Sequence, residues 1–424
     1  GLKATWQDRS MWNQMRMLKT DMSDVTKYTF LMNGKTPEQN WTGNFKEGER
    51  VRLRFINASA MSFFDVRIPN LKMTVVSADG QPVKPVPVDE FRIGTAETYD
   101  VIVEPKQANY QIEAESIDRS GFSIGTLHNE NTLPVKNILM PKPRPRSLLT
   151  MEDMGMGHDM SSMEGMNHDM SSMPNKTSED HSMHGMNHDM SSMKDMNHDM
   201  SSMKGMNHDM SSMKGMDHDM SSMKGMDHDM PMNSATVKAA SDKNDNTVFG
   251  WANASTPEGN KALQYSDLQS LDPQKDTRAA EREIEIRLGG NMERYIWTIN
   301  GKKFNEADPL VVKYGERIRL KFVNDSMMAH PMHLHGMFMQ LENGQDPSNM
   351  PNKHTVIVPP GKTITTLLTA DELGEWAIHC HLLYHMSAGM MNKLIVAQVE
   401  DGNSTKTVPQ SQVNEKGVNP HANH

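Results

Sequence analysis

GERVRLRFINAS at residues 48–59 and GERIRLKFVNDS at residues 315–326 align without gaps and share eight of their twelve residues. Both stretches alternate apolar and polar side chains with a period of two, as a strand with one wet face requires. A repeat of this length inside one chain is most simply an internal duplication, so the chain reads as two copies of one β fold. Around the first stretch, FFDVRIP (63–69), KMTVVSAD (72–79), TYDVIVEP (98–105) and YQIEAES (110–116) continue the strand pattern between Tyr28 and about Pro134. Around the second, REIEIRL, RYIWTING, HTVIVPP, TITTLLTA, EWAIHCHL and NKLIVAQV do the same from Arg282 to about Val399. Gly, Pro and Asn break these runs at short intervals, which predicts all-β Greek-key sandwiches of immunoglobulin or cupredoxin size.

The copies part company just past the matched stretch. In register, Phe63, Val66 and Ile68 of the first copy stand where His330, His333 and His335 stand in the second. One copy carries core residues and the other polar ligands, so any site built on these positions belongs to the second copy.

Between the copies, residues 141–248 contain no Phe, Trp or Tyr. The decapeptide MNHDMSSMKG (196–205) recurs there, and HDM occurs seven times, at His158, His168, His188, His198, His208, His218 and His228. Such a segment lacks the bulky side chains that would offset its ordering entropy, so it reads as disordered. Residues 151–232 hold 24 of the 42 methionines, with 15 acidic and 5 basic residues. That excess equals the whole net charge of -10, and the rest of the chain carries 39 residues of each sign. The expected organisation is a first β domain over 1–140, a Met/His/Asp-rich tract over 141–248, a second β domain over 249–400 and a polar tail over 401–424.

At roughly 100–200 residues per domain, 424 residues suit two or three domains. A lone cysteine excludes an internal disulfide. The acidic balance argues against nucleic acid as a partner. No long apolar run is present, so a membrane-spanning chain is not expected. The sequence opens on GLKATWQDRSMWNQMRM without an export signal, which implies either a removed signal or a fragment and says nothing about compartment.

The second copy holds HPMHLHG at 330–336 and HCHLLYHMSAGM at 379–390. Strand side chains alternate in direction, so His379 and His381 share one face while Cys380 takes the other. His333 and His335 likewise share a face. One metal can then sit on the sulfur while two imidazoles serve a second site behind it. A trigonal His₂Cys copper site needs two imidazoles and a weak axial partner. His385, five residues after Cys380, and Met390, ten after it, suit that role with His330. A lone strand cysteine is ordinarily a small buried hydrophobe, but two His clusters, a Cys and a Met at these offsets in one domain outweigh that account. Zinc is the stronger rival, yet the seven histidines of 330–385 exceed what a four-coordinate ion needs.

At these motifs the chain resembles the multicopper oxidases, and with the Met/His tract and TWQDRSMWNQMRM it looks most like their periplasmic copper-resistance branch. The resemblance implies two cupredoxin-like domains with copper as cofactor. It implies a type 1 copper on His330, Cys380, His385 and Met390, a type 2 ligand in His333, and type 3 ligands in His335, His379 and His381. Cys380 with His379 and His381 would carry electrons to a trinuclear cluster where dioxygen becomes water. The family also has an N-terminal pair of HxH motifs, and this sequence has none outside 330–385. Apart from that span and the tract, its histidines are His128, His421 and His424. The chain therefore looks like domains two and three of a three-domain oxidase, with a complete type 1 set and half a trinuclear set.

Thioether sulfur favours copper(I), whereas imidazole and carboxylate also suit copper(II). MxHDMSSM offers both on a flexible chain, so the tract is expected to capture copper and hold it at high local concentration. Met11, Met15, Met17 and Met22 read as core filling, and among Met327, Met328, Met332 and Met386 one or two could guide copper(I). The expected function is copper(I) oxidation, with phenols as further substrates, copper ions and dioxygen as partners, and other periplasmic copper-resistance proteins beside it. A copper-sequestering protein without complete oxidase activity is the alternative, and laccase-like specificity for organic substrates is a third reading.

Overall fold

A computed structural model describes residues 23–133, 135, 137–145, 246–251, 255–291 and 293–398. These fall in one of the chain's two compact units, Gly1–Ser161 with Ser234–His424. The methionine tract expected to be disordered, the four methionines before Ser23 and the polar tail after residue 400 lie outside the described residues.

The first copy runs β1 (Trp41–Phe45), β2 (Val51–Ile56), β3 (Phe64–Arg67), β4 (Met73–Ala78), β5 (Gln81–Val88), β6 (Glu90–Ile93), β7 (Thr98–Val103), β8 (Asn109–Ser116) and β9 (Phe122–Asn129). Its two sheets have the orders β1-β9-β8-β3-β6 and β2-β7-β4-β5. The second copy runs β10 (Arg282–Asn291), β11 (Ile296–Ile299), β12 (Leu310–Lys313), β13 (Arg317–Asn324), β14 (His330–Leu334), β15 (Met339–Leu341), β16 (Asn352–Lys353), β17 (Thr355–Val358), β18 (Thr363–Thr369), β19 (Gly374–Cys380), the short helix α1 (Leu383–Ser387) and β20 (Met391–Ala397). Its sheets are β12-β20-β19-β14-β17 and β11-β10-β13-β18-β15-β16. The first of these repeats β1-β9-β8-β3-β6 strand for strand, down to the parallel pair that closes one edge: β1 with β9, and β12 with β20. The second repeats β2-β7-β4-β5 and adds β10 and β11, with β10 parallel to β13. The duplication read from twelve residues thus extends over the whole sandwich.

Alternation explains the strands that sequence makes obvious. β2 alternates half-buried and exposed positions along VRLRFI, with Leu53 and Phe55 facing the core and the arginines facing water. β4, β7 and β20 show the same period. β13 departs from it, because Arg317 and Arg319 lie buried under Glu342, Gln340 and the 276–278 loop. One large apolar cluster runs through both sandwiches, from Phe63, Phe91 and Val101 to Trp297, Phe322 and Leu368. Each such side chain, fully buried, contributes about 1.5–3 kcal/mol. The copies meet closely: a Cβ on Gly94 of the first would lie 2.9 Å from Ile357 of the second.

Part of the span assigned to the tract is packed. Arg144 pairs with Glu90, and its backbone N–H donates to Glu115 at 3.2 Å. On the far side Val248 N–H donates to Thr363 O at 2.9 Å, Thr256 donates to Glu90 and Arg119 to Ser255 Oγ at 2.6 Å. Both sides of the span therefore return to one carboxylate, that of Glu90. No described helix is long and apolar enough to cross a membrane.

Candidate metal centre

Pairing of β14 with β19 sets the site. Met332 lies opposite Cys380 and His333 opposite His379. Cross-strand partners share a face, so Cys380 and His330 look one way while His333 and His379 look the other. His385 reaches the sulfur side because the chain turns into α1 directly after the strand. Met390 N–H donates to His385 O and Cys380 N–H to Met390 O, both at 3.0 Å, which ties the segment back. Gly389 makes the return possible, with φ of +125° and no room for a Cβ, which would lie 2.5 Å from Trp297 O. Gly336 has φ of +80° and a missing Cβ that would enter the Trp376 ring at 2.3 Å.

His330, Cys380 and His385 are each completely buried, as is Met390. Cys380 Sγ lies 3.6 Å from His330 Nδ1 and 3.9 Å from His385 Nδ1, and the two Nδ1 atoms are 3.2 Å apart. One donor atom from each of the three residues falls within 4.8 Å of the others, and among the described residues no other group of three His, Cys, Asp or Glu meets in this way.

The far side of each ring settles which nitrogen is bare. His385 Nε2 is 2.8 Å from Asp24 Oδ2, and a carboxylate only accepts, so Nε2 carries the proton and Nδ1 presents its lone pair. Ser326 Oγ donates to Asn324 Oδ1 at 2.7 Å and therefore accepts from His330 Nε2–H, also at 2.7 Å. Again Nδ1 is left bare toward the sulfur. Trp297 stacks on His385 with centroids 4.0 Å apart and meets His330 edge-on at 5.1 Å. Burial drives the His330 pKa well below its usual value, and the neighbouring His385 adds to that. Burial pushes the Cys380 thiol well up, despite an opposing hydrogen bond from the Leu382 backbone. Burial raises the Asp24 carboxyl, but His385 and the Tyr295 hydroxyl, which donates at 2.8 Å, more than offset it and hold it below the usual range. Two buried imidazoles and a dry thiol meeting at one point form a soft donor set of the kind copper takes, and His–Nε2–H held by a carboxylate is the outer-shell device metal sites use.

On the other face His333, His335, His379 and His381 gather, with His335 Nε2 and His379 Nε2 3.1 Å apart. His333 and His335 rings lie 4.6 Å apart, and those of His379 and His381 5.4 Å. His379 Nδ1 donates to the Cys380 carbonyl at 2.9 Å, and its Nε2 faces His335. Burial, with the surrounding imidazoles, lowers His333 to about 2. Burial likewise lowers His379 to about 4, against an opposing backbone hydrogen bond.

Seven of the eight residues expected from the sequence therefore meet in two groups, His330, Cys380 and His385 in one and the other four histidines in the second, while the buried Met390 is tied to Cys380 through its backbone. Asp24, Ser326 and Trp297 were missed, and so was His354, whose ring stands 5.0 Å from His333. Ser326 had a signal: the first copy has the same turn, with Ser59 Oγ donating to Asn57 Oδ1 at 2.6 Å, and only the second copy sets an imidazole on it. Asp24 lies 361 residues from its partner and had none. Met328 and Met332 are core residues.

Two models of multicopper oxidase domains match the chain, over residues 6–137 and 277–400. The chain belongs to the multicopper oxidase family. It is 48% identical over 403 residues to copper resistance protein A of Escherichia coli, covering 94% of this chain and 64% of that protein. Against copper resistance protein A of Pseudomonas syringae pv. tomato it is 52% identical over 401 residues, with the same two shares. The chain thus spans just under two thirds of the length of these relatives. A solved multicopper oxidase from Pseudomonas thermotolerans aligns over 90% of this chain and 62% of that one, at 15% identity and a TM-score of 0.48.

Proposed function

We propose that this chain is the copper-centre portion of a copper-resistance multicopper oxidase, which oxidises copper(I), and phenols besides, while dioxygen is reduced to water. The observation that carries the reading is the dry convergence of His330 Nδ1, His385 Nδ1 and Cys380 Sγ. On this reading His330, Cys380, His385 and Met390 hold the type 1 copper, His333 is a type 2 ligand, and His335, His379 and His381 are type 3 ligands. Bound copper supplies one-electron chemistry that no side chain here supplies alone. Cys380 is joined through its backbone to His379 and His381, so two residues of covalent chain connect the sulfur face with the imidazole face. Asp24 and Ser326 hold the rings in one tautomer, and Trp297 keeps water from them. The Cys380 proton leaves when metal binds, so uptake releases a proton and strengthens as pH rises. The proposed domains are a first sandwich over 1–140, a Met/His/Asp-rich tract over 141–248, a second sandwich over 249–400 and a tail over 401–424, with Arg144 and Val248 packed just inside the two ends of the tract. The tract captures copper ions for the site, and the protein works in the periplasm beside other copper-resistance proteins.

Copper sequestration is the second reading. The observation in its favour is that the four imidazoles on the second face pair without closing a three-ligand site. Loading the chain with copper distinguishes the two. The first reading expects an intense blue absorption that Cys380→Ser abolishes, with little dioxygen uptake until four further histidines are supplied from HxH motifs. Blue colour surviving Cys380→Ser contradicts the type 1 assignment. Dioxygen uptake that stays at background after those motifs are supplied favours sequestration.

A further inference from the structure

Beneath the imidazole face lies a group of charges that the copper reading does not use. Lys353, at the end of β16, is completely buried, with Nζ 2.9 Å from Asp79 Oδ2 and 3.0 Å from Glu97 Oε2. Both carboxylates belong to the first copy and are as inaccessible as the lysine. The ammonium also lies over the Tyr99 and Tyr265 rings, at 5.2 and 5.4 Å. Tyr265 donates to Glu97 at 2.6 Å and accepts from Ile357 N–H at 2.9 Å. Three charges buried this deeply are costly unless each is matched.

Asp79 does more than balance the lysine. Its Oδ2 accepts the backbone N–H groups of His354 and Thr355, both at 3.1 Å. Those two residues hold His333: its Nδ1 lies 2.9 Å from the His354 carbonyl and 3.0 Å from Thr355 Oγ1. A carbonyl only accepts, so His333 Nδ1 must carry the proton, and Nε2 is left bare. The hydroxyl of Thr355 is in turn 2.7 Å from His354 Nδ1.

We propose that Asp79, anchored by Lys353 and Glu97, is a positioning residue of the first copy that fixes the tautomer and direction of His333 in the second. The first sandwich lacks ligands of its own at the matching positions, yet through this carboxylate it sets a ring of the metal face. Second-shell groups of this kind act by orienting a ligand and fixing its proton. The inference rests on reading His333 as a ligand only for its purpose, not for its geometry.

The test needs no metal. In the copper-free chain labelled with ¹⁵N-histidine, His333 is expected as a single Nδ1–H form whose proton exchanges slowly. Asp79→Asn keeps the size but puts a neutral amide before two N–H groups and an ammonium. It should raise the Nε2–H form of His333 to at least about a tenth and speed exchange of the ring proton tenfold or more, with the His330 and His385 signals unmoved. Thr355→Val removes one acceptor without touching the buried charges; it should shift His333 the same way by a smaller amount, and it decides the matter if Asp79→Asn does not fold. An unchanged His333 in a folded variant overturns the proposal. A chain that shows the shift but never binds copper at His333 refutes the ligand reading and leaves the positioning intact.

Discussion

The two sandwiches share a sheet order and a register, yet they do opposite things at the same point. In the second copy Met332 and Cys380 face each other across β14 and β19. In the first, the corresponding pair across β3 and β8 is Asp65 and Glu115. Both carboxylates are completely buried, and arginines meet them: Arg92 binds Asp65 at 2.8 Å and Arg119 reaches Asp65 at 2.9 Å and Glu115 at 3.4 Å. Burial pushes the Asp65 carboxyl up, but Arg92 and Arg119 more than reverse that. Where His330 sits in one copy, Phe63 sits in the other, against Trp251 at 6.2 Å. A β-sandwich interior must have its polar groups matched, and here one scaffold matches them with fixed cations while the other gathers His330, His385 and Cys380, the set proposed above to take a metal ion.

That contrast can be broken in three places. The largest effect is expected from Asp65→Ala, which leaves Arg92 buried without its carboxylate and Arg119 with Glu115 alone, and should cost about 3–5 kcal/mol. Denaturant unfolding measures the loss, and copper-loaded material that still folds should be as blue as the parent. A colour change of the same size as the stability loss would mean the two copies are not separate in function.

Acid gives the next largest effect, and on the second copy. His333 and His379 have folded values of about 2 and about 4, against 6.5 unfolded. The unfolded chain therefore binds more protons between those values, so stability is complete above about 6.5 and falls as pH drops toward 4 and below. Thermal unfolding of the copper-free chain from pH 8 to pH 4 should show a falling midpoint. His333→Val, which installs the residue class that the first copy carries at the matching Val66, should flatten that slope.

The smallest effect on the fold is expected from removing 151–232. Arg144 and Thr256 meet at Glu90 on either side of the span, so excision should leave the unfolding free energy within about 0.5 kcal/mol. Copper(I) stoichiometry should fall sharply in the same variant; unchanged stoichiometry would end the capture reading of the tract.

Much of this was legible in the sequence because it is local. Twelve repeated residues implied the duplication, and period-two alternation located β2, β4, β7, β13 and β20. The His–Cys–His spacing foretold two faces, since neighbours on a strand must point apart. Other elements carried no such signal. β5, QPVKPVPV, holds three prolines and reads as a break, but it lies at the edge of its sheet, where a missing N–H costs little. β6 and β9 are buried on both faces, which erases alternation. Asp24 reaches His385 across 361 residues of chain, and Asp79 reaches the backbone of His354 and Thr355 across 275 and 276, through contacts that only the folded sheets create.

The most direct test of the account is X-ray absorption at the copper edge on the chain carrying a single copper ion. Two nitrogen scatterers and one short sulfur, lost in Cys380→Ser, are predicted. A first shell of nitrogen and oxygen alone, unchanged by that substitution, would contradict the assignment of the buried triad as the copper site.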